Sequence, residues 1–244
     1  MTRLLVATRN PGKVREIRRI LATYPALDLV GLNDAGVDEC AEDEAVEAFE
    51  TFEENALAKA RHYAARSGLP TLADDSGIAV DALDGAPGVR SRRFAPAHDI
   101  RGDAQDEANN RHLLRLLADE PPERRTARYV CAAAVAWPDG RELVRTGTCG
   151  GVILHAPRGT GGFGYDPLFH LPDEGRTFGE LPAERKDEIS HRGRAIRQIM
   201  DALPPVSSAG LESGNASPLY HQPMPSGAAG GAGRRLHPPG LRTR

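Results

Sequence analysis

Two adjacent carboxylates interrupt an apolar stretch of the chain, in the segment Asp74-Asp75-Ser76-Gly77. Burying a carboxylate is costly unless the group is paired or holds a cation, and Mg²⁺ prefers carboxylate oxygens with retained water. Neighbouring side chains of a strand point to opposite faces, so Asp74 and Asp75 are expected to have different roles. The segment predicts that one of them faces a functional site, with a plain Asp-Ser-Gly turn as the alternative.

The segment Thr8-Arg9-Asn10-Pro11-Gly12-Lys13 is a second candidate, since it joins an apolar run to residues at helical spacing. Amides at a helix N-terminus attract anions, Gly12 allows a ligand to approach closely, and Lys13 adds a positive charge. The chain has three lysines against 28 arginines, so lysine is not its usual solubilising cation. The segment lacks the P-loop pattern. It predicts a phosphate site of another kind, with an ordinary capped helix as the alternative.

A glycine-rich loop, Gly159-Thr160-Gly161-Gly162-Phe163-Gly164-Tyr165-Asp166-Pro167, follows in the C-terminal half. It has too many glycines for a helix or a strand, so its backbone can approach a ligand while Phe163 or Tyr165 stacks on a flat ring. A surface loop whose aromatic side chains pack into the core is the alternative.

Three residues that can carry a positive charge lie near the start of the last predicted helix, namely Lys186, His191 and Arg192. The N-terminal end of a helix dipole is itself positive, so these groups are misplaced if stability is their only role. An anionic or carbonyl-rich ligand would explain them. The acidic stretch from Glu42 to Glu54, by contrast, is expected to be solvated, although it could contain a second metal carboxylate.

The elements that must position these residues alternate between strand and helix. Asn10 and Pro11 supply an N-cap and a first helical position, and Thr51 with Glu54 forms a capping box for a helix that ends near Gly68. Strands are predicted at 3–8, 72–80 (interrupted at 74–77), 129–137 and 141–148, and helices from 11, at 51–66, at 106–118 and after 190. This order predicts an α/β domain with a mixed sheet.

Composition places the chain with soluble globular proteins, because 40% of its 244 residues are hydrophobic and 27% are charged. The net charge of -3 gives no electrostatic argument for a nucleic-acid or membrane partner. Three cysteines without a Cys-x-x-Cys pair indicate neither a disulfide framework nor a cysteine zinc site. No apolar run approaches the length of a membrane span. We therefore expect a cytoplasmic protein with no membrane association and no stable nucleic-acid partner.

The composition changes after residue 203, since 14 of the 41 residues from Pro204 to Arg244 are glycine or proline. Such a segment cannot bury enough apolar surface to fold by itself. We predict one folded domain at 1–203 and a disordered, low-complexity tail at 204–244. The tail carries four arginines and one glutamate, so a tether for a partner is the alternative to a solvated extension.

Six segments occur in a fixed order between residues 3 and 203. They are Thr8-x-Asn10-x-x-Lys13, Thr51-Phe52-x-Glu54-Asn55-Ala56, Ala73-Asp74-Asp75-Ser76-Gly77, Gly85-Ala86-Pro87-Gly88-Val89, Phe163-Gly164-Tyr165-Asp166-Pro167 and Ser190-His191-Arg192-Gly193. Together they closely resemble the inosine triphosphate pyrophosphatase family. The resemblance implies a two-lobed α/β fold around a long mixed β-sheet flanked by helices, and a homodimer. It also implies Mg²⁺-dependent hydrolysis of ITP, dITP or XTP to the monophosphate and pyrophosphate, which clears these nucleotides from the pool used for DNA and RNA.

The resemblance also implies a role for each candidate residue. Asp75 would be the catalytic residue, as both metal ligand and proton acceptor, and Ser76 beside it would contact the substrate. Glu47 would be the second metal carboxylate. The remaining substrate-binding positions would be Thr8, Arg9, Asn10, Pro11, Gly12, Lys13, Phe163, Gly164, Tyr165, Asp166, Lys186, His191 and Arg192.

Selectivity is expected to come from the direction of hydrogen bonds to the base. Hypoxanthine and xanthine carry a carbonyl at C6, which suits donors such as Arg192 or protonated His191, whereas the amino group of adenine would leave those donors unpaired. We accordingly expect Arg192→Ala to lose turnover of ITP and XTP far more than it changes folding.

Two other functions are compatible with the same residues. One is a general or Maf-like nucleotide pyrophosphatase with different substrates. The other is a non-catalytic nucleotide- or RNA-binding module, although a pure phosphate binder gains little from a carboxylate at Asp75.

Overall fold

The chain forms a seven-stranded mixed sheet flanked by helices, in a computed structural model that describes residues 2–40, 43, 46–96 and 101–203. The strands are β1 (Thr2–Val6), β2 (Leu27–Gly31), β3 (Thr71–Val80), β4 (Thr126–Ala136), β5 (Glu142–Ile153), β6 (Phe169–Leu171) and β7 (Arg176–Thr177). Their order is β2-β1-β3-β4-β5-β6-β7. β1 pairs in parallel with β2 and β3, and every later pairing is antiparallel. The predicted α/β fold with a mixed sheet is confirmed.

Five helices cover this sheet in the described part of the chain. They are α1 (Pro11–Leu21), α2 (Phe52–Ser67), α3 (Asp103–Leu116), α4 (Ala183–Ile189) and α5 (His191–Ala202). The predicted caps are confirmed: Asn10 accepts a hydrogen bond at the start of α1, and Thr51 accepts one from the amide of Glu54. Gly68 ends α2 with a φ of 67°, a left-handed conformation that favours glycine.

Strand β3 corrects one expectation, because it runs without interruption through the four residues at 74–77. Asp74 pairs with Ala133 and Asp75 with Ala132 of β4, so the turn alternative is wrong. Their side chains find partners on the two faces of the sheet, and the carbonyl of Asp74 accepts from Lys13 Nζ at 3.4 Å. Gly77 is required at its position, since a Cβ there would lie 2.4 Å from the carbonyl oxygen of Gly88.

Three apolar clusters pack against the sheet, each over a different part of it. Helix α2 packs on one face through Ala56, Ala60 and Ala64, and helices α1 and α5 pack on the other. Both of these clusters contact the half of β3 that precedes Asp74. The third cluster contains the opposite half of β3, with Ile78, and joins it to α3 and β6. The paired aspartates therefore lie between the two halves of the fold.

The predicted tail at 204–244 lies outside the described residues, as do Glu42 and Glu44 of the acidic stretch. The domain boundary at residue 203 stays a prediction. Among the helices described, none has the length and apolar content needed to cross a membrane.

Candidate active site

Asp74 faces the side of β3 that carries α1 and α5, where it meets two cations. Lys13 Nζ lies 3.1 Å from Asp74 Oδ2, and Arg192 Nε lies 3.1 Å from the same oxygen. Burial alone would raise the pKa of Asp74, but Lys13 and Arg192 outweigh it and hold that pKa far below its ordinary value. Asp74 is thus an ionised anchor that fixes both cations.

Buried ion pairs continue from there toward the last two helices. Arg192 donates to Glu16 and, through Nη2, to Ser76 Oγ at 2.8 Å. Lys186 Nζ donates to Glu16 Oε1 at 2.7 Å and also to Asp166. Burial would raise the pKa of Glu16, but Arg192 and Lys186 lower it to about 2. The protein's own carboxylates thus balance the positive charge around α5. A contact of these cations with an anionic or carbonyl-rich ligand stays a prediction.

Asp75 faces the opposite side of β3 and has a different environment. Its Oδ2 accepts from Asn55 Nδ2 at 3.0 Å, and its Oδ1 accepts from the amide of Ser76 at 2.9 Å. Burial raises the pKa of Asp75, although Lys13 and Lys59 oppose the shift. Within the described ranges Asp75 forms no ion pair, in contrast to Asp74. A buried carboxylate without a direct cationic partner is suited to a divalent cation, so Asp75 fits the role of a Mg²⁺ ligand.

Glu47 lies on the same side as Asp75 and forms an ion pair with Lys59 of α2. Burial would raise the pKa of Glu47, but Lys59 and Lys13 lower it, so the carboxylate is ionised and suited to a hard cation. Sequence reasoning missed Lys59 as a site residue. The rarity of lysine in the sequence was a signal that could have identified it. All three lysines of the chain form ion pairs with carboxylates, Lys13 with Asp74, Lys59 with Glu47 and Lys186 with Glu16.

These side chains form one charged cluster, by which we mean Lys13, Glu16, Glu47, Lys59, Asp74, Asp75, Asp166, Lys186 and Arg192. It spans both faces of β3 at the boundary between the two halves of the fold.

The predicted phosphate segment borders this cluster at the start of α1. Asn10 donates its amide to Thr8 Oγ1 at 3.2 Å and accepts from the amide of Lys13 at 3.0 Å. This arrangement leaves Lys13 Nζ directed at Asp74 across the start of β3. Arg9 instead donates to the carbonyl of Val37 at 2.9 Å, in the loop after β2. A phosphate contact from Arg9 stays a prediction.

The glycine-rich loop places its two aromatic residues in different environments. The Phe163 ring lies against Gly12, where an added Cβ would come within 2.5 Å of the ring. Asp166 Oδ2 fixes this position by accepting from the amide of Phe163 at 2.8 Å. Tyr165 is buried in the core and donates to the carbonyl of Ser91 at 2.8 Å. Of the two candidates for stacking on a ligand, the half-buried Phe163 is therefore the one at the site.

Helix α3 holds the same loop from its other side. Gly164 donates its amide to Asp106 Oδ2 at 2.7 Å, and its carbonyl accepts from Asn110 Nδ2 at 2.9 Å. A cavity of about 390 Å³ opens between α3 and the loop, and one of about 200 Å³ lies between the loop and α1. Phe163 lines both cavities, together with Gly161 and Gly162.

His191, the predicted donor to the base, lies at the start of α5. Its ring is buried and stacks on Tyr129, with centroids 4.5 Å apart and an interplanar angle of 6°. Burial, reinforced by the charge of Arg192, lowers the pKa of His191 well below its ordinary value. The lowered pKa favours the neutral imidazole over the protonated donor that we expected. A contact of His191 with the base stays a prediction. Its Nδ1 is buried without a hydrogen-bond partner among the described residues.

One group of metal-ligating residue types lies elsewhere, at Cys40, Asp43 and His62, whose ligand atoms are within 4.8 Å of one another. Arg66 Nη1 already contacts all three, at 3.1 Å from the thiol, 2.8 Å from the carboxylate and 3.3 Å from the imidazole. A guanidinium thus fills the centre of this group.

The fold and the cluster together define a class of protein. A lysine at a helix start, beside one anchored carboxylate and one without an ion pair, suits an enzyme that acts on phosphorylated ligands with a divalent cation. The chain belongs to the Ham1 family, whose model matches residues 4–202.

Relatives with assigned names are similar over most of the chain. A dITP/XTP pyrophosphatase of Geobacter sulfurreducens is 51% identical over 204 residues, covering 83% of this chain and 97% of that protein. A dITP/XTP pyrophosphatase of Nocardia farcinica is 52% identical over 206 residues, covering 83% and 95%. The solved structure of a HAM1 protein from Coxiella burnetii aligns with a TM-score of 0.70 at 36% identity, covering 82% of this chain and 98% of that one.

Proposed function

We propose that this chain hydrolyses purine nucleoside triphosphates with a C6 carbonyl, namely ITP, dITP and XTP, to the monophosphate and pyrophosphate. The observation that carries the proposal is the arrangement of Lys13, Asp74 and Asp75 beside the start of α1, in a chain whose relatives are named dITP/XTP pyrophosphatases. The reaction would clear these nucleotides from the pool that supplies DNA and RNA synthesis.

Each half of the substrate has complementary groups in the structure. The triphosphate would lie at the amides of Gly12 and Lys13, whose side chain offers a positive charge next to Asp74. Asp75, held by Asn55 and the amide of Ser76, would accept a proton or orient the attacking water. Mg²⁺ held by Asp75 and Glu47 would neutralise phosphate oxygens.

The base would lie at Phe163, whose ring has Lys186 and Arg192 over it. A neutral imidazole still has one N–H, and the unpartnered Nδ1 of His191 is available for a hydrogen bond. Discrimination for a C6 oxygen therefore does not require a protonated histidine. Arg192 is engaged with Asp74, Glu16 and Ser76, so it would have to exchange a partner to contact the base.

The resemblance to the family also supports two further proposals, that the protein is a homodimer and that it is cytoplasmic. A substrate panel tests the main one: pyrophosphate release from ITP, dITP and XTP is expected, with much slower release from ATP, GTP and pyrimidine triphosphates. Equal rates across the panel would favour a general nucleotide pyrophosphatase instead. Binding without release of pyrophosphate would favour a non-catalytic module.

Gly12→Ala is expected to weaken nucleotide binding roughly tenfold, because overpacking a filled site costs about 1–3 kcal/mol. The added Cβ would lie 2.5 Å from the Phe163 ring, so the ring must move from its place over the start of α1. KM for ITP measures the effect. Gly150→Ala is the matched control, since a Cβ there meets nothing within 4 Å. A KM for Gly12→Ala equal to that of the control would show that Phe163 has no role in binding.

A further inference from the structure

Asn55, which donates to Asp75, is a buried amide in the first turns of α2. Asparagine is a weak helix former, so its presence inside a helix calls for a specific contact. Its side chain makes three hydrogen bonds, none of them to another part of its own helix.

Two of these bonds hold the backbone of Phe49, and the third holds the carboxylate of Asp75. Asn55 Oδ1 accepts from the amide of Phe49 at 2.9 Å, and Nδ2 donates to the carbonyl of Phe49 at 3.1 Å. The second hydrogen of Nδ2 goes to Asp75 Oδ2 at 3.0 Å. Rotating the amide by 180° would place its oxygen against a carbonyl and a carboxylate, so the contacts fix its orientation.

The loop that Asn55 holds is the one that carries Glu47. The side chain of Phe49 is 47% exposed, so burial of its ring does not anchor this loop. Lys59, one turn after Asn55 on the same helix face, pairs with the Glu47 carboxylate. Helix α2 can approach the sheet closely because small residues pack between them, which brings Asn55 to Asp75.

From this geometry we infer that Asn55 is a positioning residue that sets the separation of Glu47 and Asp75 and so tunes the divalent-cation site they form. One amide bonds both the loop that bears the first carboxylate and an oxygen of the second. Partners of metal ligands that orient them typically contribute 10- to 100-fold to metal affinity. The inference rests on the proposed metal-dependent function, which it deepens by assigning the residue that preorganises the ligands.

Asn55→Ala is expected to raise the Mg²⁺ concentration for half-maximal ITP hydrolysis by about tenfold or more. KM for ITP at saturating Mg²⁺ should change little, because Asn55 does not contact the phosphate segment or Phe163. Mn²⁺ binding to the nucleotide-free protein, followed by electron paramagnetic resonance, should weaken by a similar factor. A half-saturating Mg²⁺ concentration and a Mn²⁺ affinity within twofold of wild type would overturn the inference.

Asn109→Ala is the matched control, since Asn109 is equally buried on a helix and also fixes a backbone segment, through Ala95, Ser91 and Arg92. It should lower the melting temperature without weakening Mn²⁺ binding. An equal loss of Mn²⁺ affinity in both variants would assign the effect to general destabilisation and overturn the inference.

If Asn55→Ala does not fold, hydrogen exchange of the wild-type protein still tests the inference. The Phe49 amide should be protected in metal-free protein, since it is bonded to a buried side chain. Exchange at the rate of an unstructured peptide would overturn the inference. Absence of ITP hydrolysis by the wild type would count against the proposed function alone, because Mn²⁺ binding and exchange still report on Asn55.

Discussion

Replacing Asp75 by asparagine is expected to lower pyrophosphate release from ITP by about a thousandfold or more. The substitution preserves shape but removes the negative charge that would hold Mg²⁺ and accept a proton. Because burial raises the pKa of Asp75 and no described residue forms an ion pair with it, its ionised form is a cost to folding. The melting temperature of Asp75→Asn should therefore equal or exceed that of the wild type.

Single-turnover and steady-state assays with excess Mg²⁺ measure the loss, and thermal denaturation followed by circular dichroism measures stability. Asp119→Asn is a suitable control, since Asp119 is exposed and distant from the charged cluster in the sequence. Activity of Asp75→Asn within tenfold of wild type would remove Asp75 from the mechanism.

Arg192→Ala is expected to destabilise the protein by about 3–5 kcal/mol, because it leaves buried carboxylates without their cation. Arg192 is 2% exposed and contacts Asp74 and Glu16, both of which are also buried. This result would contradict the expectation from sequence that the substitution affects turnover far more than folding. Turnover of ITP should fall as well, since Lys13 shares its carboxylate partner with Arg192.

Urea denaturation of Arg192→Ala gives the change in the free energy of unfolding. Arg194→Ala, two residues further along the same helix, removes an exposed arginine and should change that free energy by no more than about 0.5 kcal/mol. A destabilisation of Arg192→Ala below about 1 kcal/mol would show that the buried ion pairs contribute little.

Local signals were sufficient to predict much of the fold. The N-caps at Asn10 and Thr51 and the glycine stop at Gly68 depend on residues within one or two turns, so the sequence displays them directly. Strand β2 and the short strands β6 and β7 were not predicted, because brief strands gain their stability from pairing with distant neighbours.

The ion-pair partners within the charged cluster could not be predicted either, because they come from distant parts of the sequence. Arg192 and Glu16 are 176 residues apart in the sequence and meet only because α1 and α5 share one face of the sheet. The sequence showed that the cations around α5 are unusual, and a ligand was expected to neutralise them. In the structure Glu16, Asp74 and Asp166 form ion pairs with them. Lys59 and Asn55 resemble ordinary helix residues until α2 is packed against β3.

We propose that one crevice, between the start of α1 and the Phe163 loop, binds a purine nucleotide and presents it to Asp75. The most direct test is a crystal structure of the protein with Mg²⁺ and α,β-imido-ITP, which cannot be cleaved between the first two phosphates. We expect the phosphates at Gly12 and Lys13, the cation at Asp75 and Glu47, and the base against Phe163. A nucleotide bound elsewhere, or with its phosphates remote from Asp75, would contradict the account.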